Sequence, residues 1–507
     1  MDFFGPVKVN FVKLYNVFRR KTMDRRDFHK RSLMIGAGVL AGSSFPGKSE
    51  GKSESVSTYT EPAKNLPIHH FDVVVAGGGT AGVLAALAAA REGAKTMLVE
   101  IKGYTGGTAV EGGTALHSFY NLWKAFPGVE KRQVVRGYPQ EIIDRLMKVG
   151  GCSGHAEMER GFNYDSICTA IDTELYKVVT MQMLDEAGVH LAVNTRLAGA
   201  IMDGTRMRGV IIESRSGREA VYAKCFVDCT AYGDMAAFAG ADYQVPNDYS
   251  SCNSIGLANV DLDQYYTYVK SHGGPNQVAF GMRSGEDGKV VRFNGGLGGD
   301  FNSEAKKIGM SSMITTVHDN YIMFVKCNYK IPGSVINRDD VSKGELEIRR
   351  RMAKAVELFQ KYVPGCEKAF MARTSPSLCI RRGRLIVCDY DIKHEDVIDG
   401  VHFDDDIMVY GFHDSAPRLQ VKNGGTYGIP YKALRVKGIE NLLVAGMMIT
   451  SDHRAHMSTR NTVSCMGQGQ ATGTAAALCA AKNCGTRELK YSVLRTALEK
   501  GGVYFEA

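Results

Sequence analysis

Phe71-Asp72-Val73-Val74-Val75-Ala76-Gly77-Gly78-Gly79-Thr80-Ala81-Gly82 is the stretch that decides the fold. It opens on a short β-branched run, the pattern of a strand buried in a parallel sheet. Gly77, Gly79 and Gly82 follow in the spacing G-x-G-x-x-G, and Val83 to Glu92 is alanine-rich and helical. Gly93 stops that helix, and Lys95 to Val99 reads as a second strand ending in Glu100. Strand, glycine turn, helix, strand and acid together form a dinucleotide-binding unit. Gly77 permits the tight turn, Gly79 admits a pyrophosphate against the backbone, and Gly82 lets helix and strand pack closely. The helix N-terminus, at Thr80 and Ala81, offers N–H groups and partial positive charge to phosphates. Glu100 is placed to accept hydrogen bonds from ribose hydroxyls, which disfavours a 2′-phosphate.

Working outward, Gly103-Tyr104-Thr105-Gly106-Gly107-Thr108 follows at once, with Gly112-Gly113 soon after. A second glycine cluster suits an extended ligand whose diphosphate and flavin run past the first loop, so FAD is expected rather than NAD. Asp165 to Ala187 has helical apolar spacing, and His190 to Asn194 reads as a strand. A meander is expected over Gly199–Met202, Gly209–Glu213 and Ala220–Val227, with turns at Asp203-Gly204 and Ser216-Gly217. Asp228-Cys229-Thr230-Ala231-Tyr232-Gly233-Asp234 then leads into a short helix, Met235 to Ala239. Near the other end stand Asn441-Leu442-Leu443-Val444-Ala445-Gly446, Ser458-Thr459-Arg460-Asn461 and a glycine- and alanine-rich helix.

These segments together resemble the FAD-dependent oxidoreductase family of the glutathione-reductase-type flavoprotein superfamily. That group includes heterodisulfide-reductase A-like proteins and, more distantly, fumarate-reductase-like ones. The resemblance covers roughly residues 70–485. It rests on the fingerprint, the Asp-x-Thr-x-x-Gly-Asp segment, an Arg-x-x-Arg segment at Arg381 and Arg384, and the Asn-Leu-Leu-Val-Ala-Gly segment. It implies an α/β fold: a Rossmann-type FAD-binding domain, a parallel sheet plus β-meander, with an inserted α+β substrate domain. The expected division is a signal region over 1–46, a linker over 47–65 and the first FAD-binding part over 66–250. A substrate domain over 251–425, the C-terminal FAD-binding part over 426–485 and a tail over 486–507 complete it. The cofactor residues implied are Gly77, Gly79, Thr80, Ala81, Gly82, Glu100, Gly106, Gly107, Thr108, Thr230, Asp234, Gly446, Asn461 and Thr462. The last helix is expected to begin near Asn461-Thr462, with its N-terminus at the pyrimidine edge of the flavin. The family usually has Gly where this chain has Ala231, and the Gly and paired Arg that often flank the Arg-x-x-Arg segment are missing.

Flavin performs redox chemistry, and the protein supplies orientation, charge and proton transfer. Candidates for those roles are Arg381 and Arg384, which also read as ion-pair partners; His413; and His453, His456 and Arg460. His402, with three Asp after it, reads as a surface residue. Arginine and histidine near a flavin suit a carboxylate or polyol substrate. The flavin is expected to be non-covalent, since the surroundings of His117 lack the pattern of relatives that attach it. Twelve cysteines contain no C-x-x-C, and none lies just after Glu100, so neither an iron–sulfur cluster nor a flavin-adjacent disulfide at that point is expected. The resulting expectation is hydride transfer between flavin N5 and a small polar substrate. An electron-relay subunit and an inactive flavin-binding scaffold are the alternatives.

Composition agrees with a globular chain. Hydrophobic residues are 44% and charged residues 23% of 507, with 57 Gly and 13 Pro. The net charge of +8 is concentrated at the front, where residues 1–31 hold nine Lys/Arg and three Asp/Glu. The remainder is nearly neutral, so no nucleic-acid partner is expected. Arg25-Arg26-Asp27-Phe28-His29-Lys30 and the weakly apolar Ser32–Phe45 resemble a twin-arginine signal, implying that export machinery as a partner and a periplasmic or exported location. That apolar stretch is too short to span a bilayer, and no stable membrane span is expected.

Overall fold

The computed structural model describes residues 57–111, 121–122, 132–160, 167–295, 297–311, 314–411 and 421–506. Two compact units divide at Lys64 and Asn65. In the first, residues 57–64 are exposed and carry no helix or strand. Everything that follows lies in the second.

Its centre is a five-stranded, all-parallel sheet in the order Leu442–Val444, Cys225–Asp228, Val73–Ala76, Thr96–Val99, His190–Ala192. The middle strands are fully buried, as their unbroken apolar runs require. The fingerprint helix, Thr80–Arg91, follows the first strand. Ile68–His70 pairs in parallel with Gly217–Tyr222, extending the meander of Arg196–Asp203, Arg206–Ser214 and Gly217–Tyr222 to four strands. The buried Asn441 side chain joins the two sheets, bonding Met207 N–H, Met207 C=O and Lys224 C=O.

Two expected elements are redrawn. The strand expected over Ala220–Val227 breaks at Ala223-Lys224, because the chain leaves the meander there and enters the parallel sheet. Lys224 and Cys225 both donate N–H to Asp72 C=O at the crossing. The helix expected from Asp165 starts only at Thr173. Asp172 caps it by accepting from Glu174 N–H and Leu175 N–H, while Ile167–Cys168 is a strand paired with Ala156–Glu157. Buried Ile167 and Ile171 mimic the helical period from a strand and an isolated bridge to Cys152.

A second hydrophobic core lies under an antiparallel sheet in the order Met310–Ser311, Tyr321–Tyr329, Ser251–Ala258, Phe370–Thr374. The long helix Arg338–Tyr362 packs there through Ile348, Met352, Ala355, Leu358 and Phe359. A further five-stranded sheet combines Ile314–Thr315, Glu286–Gly295 and Pro275–Arg283 with Ala156–Arg160 and Ile167–Cys168 from the first part of the chain. The chain is back in the first core by Ile386, Cys388 and Ile392, well before residue 426.

The return strand Leu442–Val444 leads to the closing helix, Thr462–Lys482, almost wholly buried. This helix lies on the fingerprint helix at backbone distance. A Cβ added at Gly469 would fall on the Ala81 carbonyl, and one at Gly473 on the Ala85 carbonyl. The two glycines permit this approach, since even a methyl at either position would meet backbone.

Candidate functional site

The glycine turn separates into positions that pack and one that stays open. Gly77 has φ +89°, and a Cβ there would strike the Cys229 carbonyl. A Cβ on Gly82 would strike the Gly77 carbonyl. At Gly79 the nearest atom to an added Cβ is Gly107 Cα, 3.8 Å away. The open position is thus the N-cap of the fingerprint helix, which has no side-chain cap. Thr80 and Ala81 begin that helix and are buried. Gly106 and Gly107 have φ +119° and +49°, and Gly106 N–H donates to Gly78 C=O at 2.9 Å. The second glycine cluster therefore lies directly on the first, and Thr108 follows in a short 3-10 turn. The Glu100 carboxylate accepts from Gly78 N–H and, at 2.8 Å, from Lys102 N–H. Burial raises its pKa, and the two N–H groups oppose that rise.

Thr230 and Asp234 belong to a turn organised from below. Asp228, fully buried, accepts from Thr230 N–H, Thr230 Oγ1 and Ala236 N–H at 2.9, 2.7 and 2.9 Å. Burial pushes its carboxyl up to about 6. Thr230 Oγ1 in turn accepts from Asp234 N–H, and the Asp234 carboxylate pairs with Arg384 at 2.7 Å. Arg384 also donates to Tyr232 C=O, so this candidate clamps the turn rather than reaching outward. Gly446, at φ +112°, donates N–H to the buried Gln468 side chain of the closing helix. Asn461 is the N-cap of that helix and Thr462 its first residue, as expected. The Asn461 amide turns back to Met457 and Ser458 carbonyls, leaving the helix without a side-chain cap.

Arg460, His453 and His456 meet around a residue that sequence reasoning missed, Tyr249. Arg460 and Arg382 stand over its ring at 5.5 and 5.6 Å. His453 lies 4.8 Å from the ring, and His456 meets it edge-on at 5.2 Å. Tyr249 lies in a loop between elements, with no periodic pattern to mark it. Arg382 is buried and bonds Asp248 at 2.6 Å and the Ser451 carbonyl at 2.8 Å. Asp248 also receives His453 Nδ1 at 2.7 Å. His456 is fully buried, and desolvation with Arg460 and Arg382 holds its pKa well below the ordinary histidine value. Its neutral ring donates from Nε2 to the Arg381 carbonyl, fixing that segment. Arg460 Nε is buried without an acceptor. His402 bonds Asp406 and the Thr426 carbonyl, away from this group. His413 and His117 lie outside the described residues.

Residues 72–498 match the model of the FAD dependent oxidoreductase family. The chain belongs to this family. No curated protein matches. Among solved structures it is similar to a geranylgeranyl bacteriochlorophyll reductase-like protein from Thermoplasma acidophilum (14% identity, 86% of this chain and 83% of that one, TM-score 0.41). It is also similar to a myxobacterial chondrochloren halogenase (10%, 85% and 79%, 0.43) and to p-nitrophenol 4-monooxygenase from Pseudomonas putida DLL-E4 (11%, 86% and 89%, 0.39).

The family's cofactor fits the residues present. Open space at Gly79, an uncapped helix start, a layered second glycine loop and a buried acid at Glu100 form a cradle for a dinucleotide. A second uncapped helix start at Asn461-Thr462 suits the electron-rich edge of a flavin. Among the described residues no three His, Cys, Asp or Glu side chains converge as a metal site, and no helix is long and apolar enough to cross a membrane.

Proposed function

We propose that this FAD-dependent oxidoreductase moves a hydride between flavin N5 and a small polar substrate, a carboxylate or polyol. The observation that carries this reading is the gathering of Arg460, Arg382, His453 and His456 around Tyr249 beside the start of the closing helix. Bound non-covalently, FAD supplies the two-electron chemistry. Gly79, the fingerprint helix start and Glu100 hold its diphosphate and ribose. Arg460 stabilises negative charge on substrate or ring, and the Tyr249 ring fixes that guanidinium. His453, exposed and hydrogen-bonded to Asp248, is the histidine able to exchange a proton with a substrate. Buried His456 is a positioning residue for Arg381.

The test is anaerobic reduction of the bound flavin against a panel of hydroxy acids, sugars and amines. One class should bleach the flavin; protein whose flavin no donor reduces would fit an inactive scaffold instead. Arg460→Ala should keep its flavin yet slow reduction roughly 10²–10³-fold, the range for losing one well-placed donor. Arg460→Lys should recover little if the contact is bidentate. Acid precipitation should leave the flavin in the supernatant; flavin in the pellet would mean a covalent bond. We extend the proposal to the signal: a folded, flavin-loaded protein without iron–sulfur clusters is exported through the twin-arginine route. Arg25-Arg26 to Lys-Lys should hold it in the cytoplasm with normal flavin content, and unchanged export would remove the assignment.

A further inference from the structure

We infer that Cys479 and Cys484 are a redox-active thiol pair, joined into a reversible disulfide by small disulfides and other thiol oxidants. The pair stands at the end of the closing helix, in Cys479-Ala480-Ala481-Lys482-Asn483-Cys484. The helix runs to Lys482, and Asn483 turns into the left-handed region at φ +48°. Cys484 N–H then donates to Cys479 C=O at 3.1 Å, and Asn483 N–H to Ala480 C=O at 3.4 Å. These two bonds are the paired closure of a Schellman motif. Such a closure brings together the side chains of the residues that stand here at 479 and 484, and the contact is usually apolar. In this chain both residues are thiols, and the two are hydrogen-bonded to each other. The segment beyond is anchored as well. Gly485 N–H donates to Glu488 at 2.7 Å, and Thr486 N–H and Oγ1 donate to Glu440 C=O at 2.8 and 3.0 Å. The pair therefore stays together in the folded chain.

Other thiols also meet: Cys252 with Cys379, and Cys225 with Cys479. Among all of these only Cys484 is partly exposed. It is the thiol that an outside reagent reaches, and Cys479 behind it is placed to resolve the adduct. Cys484, as its thiolate, attacks a small disulfide such as glutathione disulfide. The S–S bond of the reagent breaks, a bond from Cys484 to one glutathione forms, and the other glutathione leaves as its thiolate. The Cys479 sulfur then attacks the Cys484 sulfur and releases the second glutathione. The two thiol protons end on the two glutathiones. The protein pair gives up two electrons, and glutathione disulfide takes up the same two. Burial and the neighbouring Cys479 raise the Cys484 thiol to about 11, so the first attack is the slow step at neutral pH. The product fastens the end of the closing helix to the segment bonded to Glu440, closing a short loop.

The experiment treats the reduced, folded, full-length protein with glutathione disulfide. The remaining thiols are then alkylated in denaturant and the peptides are mapped by mass. The twelve thiols should fall by two, with one crosslink, Cys479 to Cys484. Dithiothreitol should restore all twelve. Cys484→Ser should lose no thiol to the reagent, and Cys479→Ala should stop with one glutathione held on Cys484. Cys225→Ala should form the same crosslink as the parent. The peptide map of the parent decides the matter even where a variant fails to fold. A map without a crosslink, whether or not Cys484 carries glutathione, overturns the pair. So does a crosslink from Cys479 to Cys225, or one from Cys479 to Cys484 that forms only in denaturant.

Discussion

Ala231 occupies φ +67°, a conformation that its methyl disfavours and glycine adopts freely. Relief of that strain exceeds the extra flexibility of an unfolded glycine, so Ala231→Gly should stabilise the protein by about 0.5–1 kcal/mol. Urea unfolding of the two forms checks this, and a less stable glycine variant would show that the turn is unstrained. His456 gives a pH signature of known sign. Its folded pKa lies well below the ordinary histidine value, so in acid the unfolded chain binds a proton that the native protein refuses. Stability from this residue is complete above about pH 6.5 and falls as pH drops below it. His456→Gln should remove about 1 kcal/mol of the loss between pH 7.5 and 5.5, measured as the parent-minus-variant difference at the two values. Residue roles were unevenly legible. Gly77, Gly79 and Gly82 announce themselves because their chemistry is local. Tyr249 and Asp248 act through contacts between distant segments, and nothing beside them in the chain marks them. Arg384 was legible as one of a pair, but its partner Asp234 lies 150 positions earlier.

At the scale of elements, the glycines of the cradle differ in kind. Gly473→Ala puts a methyl on the Ala85 carbonyl and forces the closing and fingerprint helices apart. It should cost about 3 kcal/mol and lose flavin together with stability. A Cβ at Gly79 meets only Gly107 Cα at ordinary contact distance, so the fold should persist in Gly79→Val, while the branched side chain fills the diphosphate's place. Calorimetry of the flavin-free proteins, paired with flavin content, separates the two: a destabilised Gly79→Val would refute the open position. Most elements of the cofactor domain were readable because the periods are clean and the turns carry glycine. The misread elements failed for physical reasons. Ile167 and Ile171 fall at helical spacing while serving a strand and an isolated bridge, and apolar residues on both sides of Lys224 hide the change of sheet there.

At the scale of the whole molecule, eleven of twelve cysteines are buried thiols, and only Cys484 is partly exposed. Burial lifts most of those thiols, several to about 12, so they resist oxidation and alkylation. A thiol reagent should titrate about one group in the native protein and all twelve in denaturant; several fast native groups would contradict the packing. The two helices whose starts border the cofactor cradle come from distant parts of the chain, residues 80–91 and 462–482. On a ribosome adding about 5–20 residues per second, roughly 20–70 s separate their synthesis. Throughout that interval the fingerprint helix waits without the wall that covers Ala81 and Ala85. Flavin capture is thereby tied to the finishing of translation, and a chain that stops before residue 462 should purify without flavin.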